Sequence, residues 1–286
     1  MIAVKLQGRL GNQLFQYAFA YATAKKLKTR FYLDPREQVN LLGNYFIGTK
    51  DAFFFLERNI FTIKGYKNLF SHHLRHQLYE GLIRLFKLKE IEISQTVNPT
   101  HELKKITDCA FYNGYYQSEK YFADYKQQIL EHFKIKKKHK KLFNDHVIRI
   151  GIPKNYVLVH IRRTDYLHWG FELPPTYFHK AIESILDEKN FYVFITDDYD
   201  FVEKEFEYLT NRYISKETEI IDFQFLTNAY TCIISNSTFS WWGAYLNDKN
   251  PKVICPKYWI GQTDKIEFPA GIISEQWIQI DPNERH

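Results

Sequence analysis

Two adjacent arginines directly after an apolar strand are the clearest chemical feature of this chain. The segment HIRRTD, residues 160–165, continues from the run YVLVHI, residues 156–161, which predicts a buried strand. In an α/β sheet, ligands bind at the carboxyl ends of the strands. Arginines at such a position supply planar N–H donors that suit a diphosphate. The segment therefore predicts a phosphate-binding site at a strand end.

The two arginines are expected to differ in role. Side chains alternate along an extended segment, so we expect Arg162 on the same side as His160 and Arg163 on the opposite side. One arginine can then face a ligand while the other pairs with an acid such as Asp165. A surface cluster of arginine and aspartate is the alternative, although such a group after a buried strand is costly without a partner.

A second polar segment, Thr196-Asp197-Asp198, follows the apolar run FYVFIT, residues 191–196. A carboxylate at a strand end, such as that of Asp197, can accept hydrogen bonds from a ribose hydroxyl or a guanine edge. Two other interpretations stay open. Asp198 or Asp200 can cap the helix that follows. Alternatively, Asp198 and Asp200 form a D-x-D triplet of the kind that holds Mn²⁺ or Mg²⁺ against a diphosphate.

A third segment, SNSTFSWWGA at residues 235–244, follows a predicted strand over 231–234. Small hydroxyl side chains precede a predicted helix here. The unpaired N–H groups at a helix start attract anions. The segment therefore indicates another anion-binding strand end.

The N-terminal loop GRLGN, residues 8–12, lies between a predicted strand and a predicted helix. Its glycines permit a tight turn and a close backbone approach. Asn12 stands at the predicted helix start, where it can cap the helix or offer its side chain to a ligand. The spacing differs from the G-x-G-x-x-G pattern of dinucleotide sites.

These segments need a scaffold of strands and helices. In the first half we predict strands at 2–6 and 30–33, a helix from Asn12, and helices near 72–87 and 118–133. In the second half we predict strands at 156–161, 191–196, 231–234 and 252–255, with helices near 176–188, 200–210 and 239–247. This order is typical of parallel α/β structure. The basic run at 134–141 separates the halves, and we expect domains at 1–150 and 151–286 with a cleft between them.

Composition is that of a globular protein. The 286 residues include 45% hydrophobic and 25% charged side chains, with a net charge of +6. Three cysteines, an odd number without metal-site spacing, favour a reducing compartment over a disulfide framework. The first residues do not have the pattern of a signal peptide, and no apolar stretch is long enough to span a bilayer.

Five segments in this order resemble glycosyltransferase family 11, the bacterial alpha-1,2-fucosyltransferases, which are related to the fucosyltransferases with an HxRRxD motif. They are GRLGNQLFQYAFAYATAKKL (8–27), GYYQSEKYF (114–122), HIRRTDY (160–166), FITDD (194–198) and SNSTFSWWGAYLN (235–247). The resemblance implies an α/β, GT-B-like fold of two Rossmann-like halves. It also implies GDP-fucose as the donor, inversion at the anomeric carbon and no required metal or other cofactor.

The resemblance also implies roles for individual residues. Arg162 would hold the β-phosphate of GDP with His160 and Arg163 beside it, and Asp197 would contact the nucleoside. The phosphate site would be lined by Ser237, Thr238 and Phe239. It would be closed from the N-terminal half by Arg9, Gly11 and Asn12. Residues 40–105 match no motif and are expected on the acceptor side.

The implied reaction builds negative charge on the β-phosphate as the bond to fucose breaks. Donors aimed at that phosphate, from Arg162 and the amides near Thr238, would stabilise the transition state without a metal. The sequence shows no single general base. Asp165 and Glu172 are candidates, and a dissociative route in which a phosphate oxygen accepts the proton is also open. We take Asn12, Arg162 and Asp165 as the candidate catalytic residues.

The expected partners are GDP-fucose and a galactose-containing glycan whose 2-hydroxyl accepts fucose, with no nucleic acid. The net charge and the run at 134–141 can attract an anionic membrane face, so we expect a cytoplasmic protein in peripheral contact with the inner membrane. Two other function classes stay in view. One is a metal-dependent glycosyltransferase that uses Asp198 and Asp200, and the other is a non-catalytic glycan-binding protein.

Overall fold

A computed structural model describes residues 1–56 and 69–284, with side chains described over 1–55 and 73–284. The chain forms two compact units, Met1–Lys134 and Ile135–His286. The division falls before the expected boundary at residue 150. The reason is that the basic helix at 137–150 belongs to the second unit, where Phe143 packs against Phe225 with ring centroids 5.0 Å apart.

The first unit is built on a four-stranded parallel sheet in the order β2-β1-β4-β3. Its strands are β1 (Ile2–Lys5), β2 (Phe31–Asp34), β3 (Lys89–Glu92) and β4 (Ala110–Asn113). Its helices are α1 (Leu10–Lys26), α2 (Leu42–Tyr45), α3 (Phe54–Leu56), α4 (Leu69–Leu85), α5 (Pro99–Glu102) and α6 (Lys126–His132). The predicted strand–helix–strand start of the chain is confirmed.

Helix α1 positions the N-terminal loop because it is buried on nearly every side. Phe19 stacks on Tyr116 with ring centroids 3.8 Å apart, and Tyr17 packs against Phe133 at 5.5 Å. Lys25 and Lys26 lie in the last turn, where their charge interacts favourably with the helix dipole. The loop at residues 6–9 therefore connects two well-anchored elements, β1 and α1.

The second unit contains a six-stranded parallel sheet in the order β10-β9-β8-β5-β6-β7. Its strands are β5 (Val157–Ile161), β6 (Tyr192–Thr196), β7 (Arg212–Ser215), β8 (Thr231–Ile233), β9 (Lys252–Pro256) and β10 (Ile278–Ile280). Its helices are α7 (Lys137–Ile150), α8 (Thr164–Trp169), α9 (Pro175–Glu183), α10 (Tyr199–Glu205), α11 (Glu219–Asn228) and α12 (Thr238–Tyr245). The expected α/β class with two parallel-sheet units is confirmed.

Strands β5 and β6 are buried along their whole length. Continuous apolar strands of this kind are typical of a parallel sheet covered by helices on both faces. Val159 and Phe194, paired in register, lie in the core with Tyr177 and Phe178 of α9. The sheet is therefore a rigid base for the loops that follow its strands.

One expected helix differs in detail from the structure. The helix expected over 118–133 is divided into 3₁₀ turns at Glu119–Tyr121 and Ala123–Tyr125 before α6 begins. Phe122, with φ −135° and ψ 10°, interrupts the helical path between the turns.

Among the described residues, no helix is long and apolar enough to cross a membrane. The three cysteines are all free.

Candidate active site

Three of the polar segments come together at the carboxyl edge of the second sheet. Strand β5 lies between β8 and β6 and pairs with both. The segments that begin at Arg162, Asp197 and Ile234 each follow one of these three strands. Neighbouring parallel strands end at the same edge, so the three segments lie at one edge of this sheet.

Arg162 is held between two carboxylates. Its Nη2 donates to Asp165 Oδ2 at 2.5 Å, and its Nη1 lies 3.1 Å from Asp197 Oδ2. Burial alone would lower the pKa of Arg162, but the hydrogen bond to Asp165 and the charge of Asp197 raise it, so the guanidinium stays charged. A guanidinium carries five N–H groups, and these two contacts leave three of them for a ligand.

Arg163 has a different environment from Arg162. Its Nε donates to Asp198 Oδ2 at 3.1 Å, and its guanidinium carbon lies 3.9 Å from the ring centroid of Phe201. Both arginines thus pair with acids, Arg162 with Asp165 and Arg163 with Asp198. Strand β5 ends at Ile161 and helix α8 begins at Thr164, so the residues between them do not continue the strand.

Asp197 fixes the turn that carries both arginines. Its Oδ1 accepts from the main-chain N–H of Arg163 at 2.9 Å, and its Oδ2 accepts from the hydroxyl of Thr164 at 2.6 Å. Burial would raise the pKa of Asp197, but these hydrogen bonds and the charge of Arg162 hold it below its usual value. Asp197 is therefore a carboxylate that orients the residues at the end of β5.

Asp198 caps helix α10, because its Oδ1 accepts from the main-chain N–H of Phe201 at 3.2 Å. Its other oxygen accepts from Arg163. The helix-cap interpretation of Asp198 is confirmed. Asp200 is exposed in the first turn of the same helix.

His160 is buried, and its Nδ1 lies 2.7 Å from the hydroxyl oxygen of Ser235. Burial, reinforced by the charge of Arg162, lowers the pKa of His160 to about 3. The imidazole is therefore neutral at ordinary pH and does not serve as a source of positive charge. Its ring centroid lies 5.8 Å from that of Phe239, which links β5 to the segment after β8.

The segment after β8 forms a compact turn before helix α12. The hydroxyl of Ser240 donates to the main-chain oxygens of Ser235 and Ser237 at 3.3 and 3.1 Å. Ser237 is the N-cap residue of α12 but makes no side-chain cap bond. Thr238 and Phe239 begin the helix, and both are half-buried. The helix start thus lies at the same sheet edge as Arg162.

Net charge alone does not make this edge attractive to an anion. Arg162 and Arg163 are balanced by three aspartates that contact them, Asp165, Asp197 and Asp198. An anion bound here must gain from directed N–H donors, at Arg162 and at the start of α12, and not from an excess of positive charge.

Asp222 on α11 is a candidate residue that the sequence analysis missed. Its Oδ1 accepts from the hydroxyl of Ser215, the last residue of β7, at 2.6 Å. Burial raises the pKa of Asp222 to about 7, against the lowering effect of that hydrogen bond. A buried carboxyl at the end of the strand next to β6 extends the polar edge. The signal available in the sequence was an acid inside the apolar run EIIDFQFL at 219–226.

In the first unit, Gly8 and Arg9 lie in the loop before α1, and Gly11 and Asn12 lie in the first turn of the helix. Arg9 is the N-cap residue of α1 and is exposed. The expectation that Asn12 caps the helix was wrong, because the helix begins two residues earlier, at Leu10. Asn12 Oδ1 instead accepts from Gln117 Nε2 at 2.9 Å. Gly8 has φ +68°, and a Cβ there would lie 2.2 Å from Asn12 Nδ2, so only glycine fits.

Comparison with known proteins places this geometry in a family. The sequence model of Glycosyl transferase family 11 matches residues 1–281. The chain belongs to this family. It is a glycosyltransferase with two parallel α/β units, and the strand-end cluster of its second unit is its candidate donor site.

Two curated relatives come from Escherichia coli. The family 11 chain is 29% identical to the O-antigen biosynthesis glycosyltransferase WbnK, over 96% of this chain and 99% of WbnK. It is 26% identical to an alpha-1,2-colitosyltransferase, over 98% of this chain and 99% of that protein. Among solved structures, the fucosyltransferase NodZ from Bradyrhizobium has a TM-score of 0.51 at 13% identity, covering 87% of this chain and 96% of NodZ. The likeness to NodZ shows the fold alone.

Proposed function

We propose that this glycosyltransferase moves L-fucose from GDP-fucose, with inversion, to a hydroxyl of a glycan acceptor. Family membership supports glycosyl transfer. The fold likeness extends to a NodZ alpha-1,6-fucosyltransferase that was co-crystallised with GDP, which has a TM-score of 0.52 at 13% identity. GDP is thus the proposed nucleotide, and fucose is the proposed transferred sugar.

One observation carries the proposal. Arg162, with three N–H groups left over, and the start of helix α12 both lie at the carboxyl edge formed by β8, β5 and β6. A diphosphate placed there meets a planar charged donor on one side and helix N–H groups on the other. Neutral glycans alone do not need such a pair, so the arrangement favours a nucleotide-sugar enzyme over a glycan-binding protein.

The reaction uses these donors where charge develops. As the bond from fucose C1 to the phosphate oxygen breaks, negative charge grows on the β-phosphate. Arg162 is already held by Asp165 and Asp197, so it need not reorganise during the reaction. Ser237, Thr238 and Phe239 form the other wall of the phosphate site. His160, neutral and bound to Ser235, supports this wall without adding charge.

The proton of the acceptor hydroxyl has two routes. Asp165 Oδ1 and Glu172 Oε2 are buried and accept no hydrogen bond from residues 1–56 or 69–284, which makes them acceptors without a donor. Either carboxylate can take the proton once a hydroxyl reaches it. In a dissociative transition state the phosphate oxygen itself takes the proton. Asp165 also positions Arg162 through its other oxygen.

We assign the acceptor as a galactoside that reacts at its 2-hydroxyl. The related alpha-1,2-colitosyltransferase, named for the linkage it forms, supports a 1,2 linkage. We further assign the first unit to the acceptor side, with Arg9, Gly11 and Asn12 as its candidate functional residues. Of the segment 40–105 that matched no motif, residues 57–68 lie outside the described part of the chain.

The test is a transfer assay with purified protein, GDP-fucose and a panel of galactosides, followed by NMR of the product. We expect an alpha-fucosyl group on O2 and full activity in excess EDTA. Absence of transfer from GDP-fucose to every galactoside would reject the proposal. Activity that EDTA abolishes and Mn²⁺ restores would favour the metal-dependent alternative at Asp198 and Asp200. The likeness to the colitosyltransferase makes colitose the alternative donor sugar to fucose, so activated colitose is assayed in parallel.

We also propose that the protein works in the cytoplasm, in peripheral contact with the inner membrane. Helix α7 supports this proposal because Lys137, Lys138, Lys140 and Lys141 are all exposed on it. Lysines near an anionic surface contribute to membrane binding.

A further inference from the structure

An exposed apolar surface follows the arginine pair. Leu167, Trp169 and Phe171 are 45%, 57% and 39% exposed, although large apolar side chains more often lie inside. They lie on helix α8 and in the turn after it. Three such side chains within five residues form a contiguous patch, and such patches mark interaction sites more often than single exposed residues do. We call these three residues, two of which are aromatic, the aromatic platform.

The aromatic platform is connected to the candidate donor site through Tyr166. The Tyr166 ring centroid lies 6.2 Å from the ring centroids of both Trp169 and Phe171. The Arg162 guanidinium carbon lies 5.8 Å from the same Tyr166 ring. The Tyr166 hydroxyl donates to the main-chain oxygen of Asn236 at 3.2 Å. The Tyr166 side chain therefore connects the aromatic platform to Arg162, the residue proposed to bind the phosphate.

Hydrogen bonds fix the platform to the turn before α12. Asn236 Nδ2 donates to the main-chain oxygen of Phe171 at 2.8 Å. The main-chain N–H of Phe171 donates to the main-chain oxygen of Tyr166 at 3.0 Å. Gly170, with φ +68°, makes the turn that brings Phe171 back toward Tyr166. A surface held in place before binding loses little conformational freedom when a ligand arrives.

Acceptor atoms without donors lie beside the platform. Asn236 is 2% exposed, and its Oδ1 accepts no hydrogen bond from any described residue. The same holds for Oε2 of Glu172, the residue after Phe171. A buried acceptor without a donor costs free energy, so a hydroxyl donor brought by a ligand would be favoured. Both atoms are buried, so they add to binding only if a hydroxyl reaches them.

We propose that the aromatic platform is an additional acceptor subsite, carried by the second unit, and that Trp169 stacks there on a neutral galactopyranoside. This inference rests on the proposed function, because the attacking hydroxyl must lie beside the donor bound at Arg162. The axial 4-hydroxyl of galactose leaves one face of the ring with C–H groups only. That face is apolar and matches an aromatic ring, while the sugar hydroxyls can donate to Asn236 and Glu172.

The test compares Trp169→Ala and Trp169→Phe with Tyr230→Ala. Tyr230 is a matched control because it is 65% exposed and lies at the opposite edge of the same sheet, before β8. With GDP-fucose and lactose or methyl β-galactoside, we expect the acceptor KM of Trp169→Ala to rise about ten-fold or more. Trp169→Phe keeps an aromatic face and should show a smaller rise. Tyr230→Ala should match the wild type.

Four further measurements separate the possible outcomes. GDP affinity by calorimetry, melting temperature and oligomeric state by light scattering should be the same in Trp169→Ala and the wild type. An unchanged acceptor KM in Trp169→Ala overturns the platform, as does a lowered melting temperature or an altered oligomeric state, which would make the patch a packing surface. Saturation-transfer NMR of GDP-loaded wild type must show a bound galactoside, and its absence for every galactoside also overturns the inference.

Failure of the platform and failure of the proposed function give different results. If the wild type binds no GDP, the proposed donor site is wrong and the acceptor subsite falls with it. If the wild type binds GDP and transfers fucose while Trp169→Ala keeps the wild-type acceptor KM, only the platform is wrong.

Discussion

The Nη1 atom of Arg162 lies 3.1 Å from the Oδ2 atom of Asp197, which follows the neighbouring strand. The same carboxylate accepts from the main-chain N–H of Arg163 and from the hydroxyl of Thr164. One aspartate thus orients three successive residues of the turn after β5. Arg162 reaches its position through contacts within the protein, and such preorganised donors stabilise developing charge most effectively.

Arg162→Lys should lower turnover by a factor on the order of 10²–10³, as for removal of one transition-state donor. Lysine keeps the charge but loses the planar fork that contacts two carboxylates and that we propose binds the phosphate. The measurement is kcat at saturating GDP-fucose. Arg163→Lys is the matched control. Because Arg163 is held by Asp198 and Phe201, its replacement should lower the melting temperature and leave kcat near the wild-type value. Near-normal turnover in Arg162→Lys would remove Arg162 from the phosphate site.

Asn12→Ser and Asn12→Ala should both keep the fold and lose turnover by a factor on the order of 10². The structure changes the expected stability effect, since Arg9 and not Asn12 is the N-cap residue, so neither variant removes a helix cap. Turnover and melting temperature are measured together. Gln117→Ala tests whether Asn12 acts only by binding Gln117. If Asn12→Ser keeps full turnover, the N-terminal loop is structural.

Much of the scaffold follows from the sequence because its strands are continuous apolar runs. Strands β5 and β6 were predicted to within one residue, since a buried parallel strand needs apolar side chains on both faces. Helix α11 was not predicted. It carries five buried apolar side chains on several faces, so it lacks the amphipathic period of a surface helix. Strand β7, with the mixed sequence RYIS, gave no signal because its pairing with β6 is set by tertiary contacts.

The site shows the same limit. The family resemblance implied that residues of the three strand-end segments surround one GDP, and the structure brings these segments to one edge because their strands are neighbours. Which acid pairs with which arginine was not predictable, because that depends on where α8 begins. Asp222 was missed because its helix was missed. Local sequence thus indicates which residues gather at an edge, and the packing of the following helices decides their contacts.

Stability should fall as the pH is lowered from 6.5 toward 3, and His160 should contribute to this loss. The pKa of His160 is lowered from 6.5 to about 3 by burial. Below pH 6.5 the unfolded chain therefore binds a proton that the folded protein excludes. The loss from this group approaches about 1.4 kcal/mol per pH unit. Denaturant unfolding at several pH values between 6.5 and about 3, the interval between the two pKa values, should show a shallower dependence of stability on pH for His160→Gln than for the wild type. An equal slope, or a similar change in the exposed-histidine control His101→Gln, would contradict this assignment.

Asp222 should act in the opposite direction. Burial raises its pKa from 3.8 to about 7, so the folded protein keeps a proton that the unfolded chain has lost. The contribution of Asp222 to stability therefore declines as pH rises from 3.8 to 7. Asp222→Asn should raise the free energy of unfolding at about pH 8 by on the order of 2–4 kcal/mol, and by much less at about pH 4.5. The exposed Asp124→Asn should show no such difference, and a pH-independent effect of Asp222→Asn would refute the shift.

Helix α7 should bind vesicles that contain anionic lipid and not neutral vesicles. Its exposed lysines, at 137, 138, 140 and 141, lie beside Leu142 and Ile148, which are 57% and 77% exposed. Each lysine near such a surface contributes about 1 kcal/mol. Flotation with liposomes should show binding that is lost when the four lysines become glutamine and kept when they become arginine. Equal binding to neutral vesicles, or none to anionic ones, would reject the electrostatic contact.

The central claim is that the strand-end cluster around Arg162 binds the diphosphate of GDP. The most direct measurement is calorimetric titration of the wild type and Arg162→Lys with GDP and with guanosine. We predict that the wild type binds GDP more tightly than guanosine, and that Arg162→Lys loses most of this preference while keeping its affinity for guanosine. A wild type that binds GDP and guanosine equally, or an Arg162→Lys variant that keeps the full preference for GDP, would contradict the account.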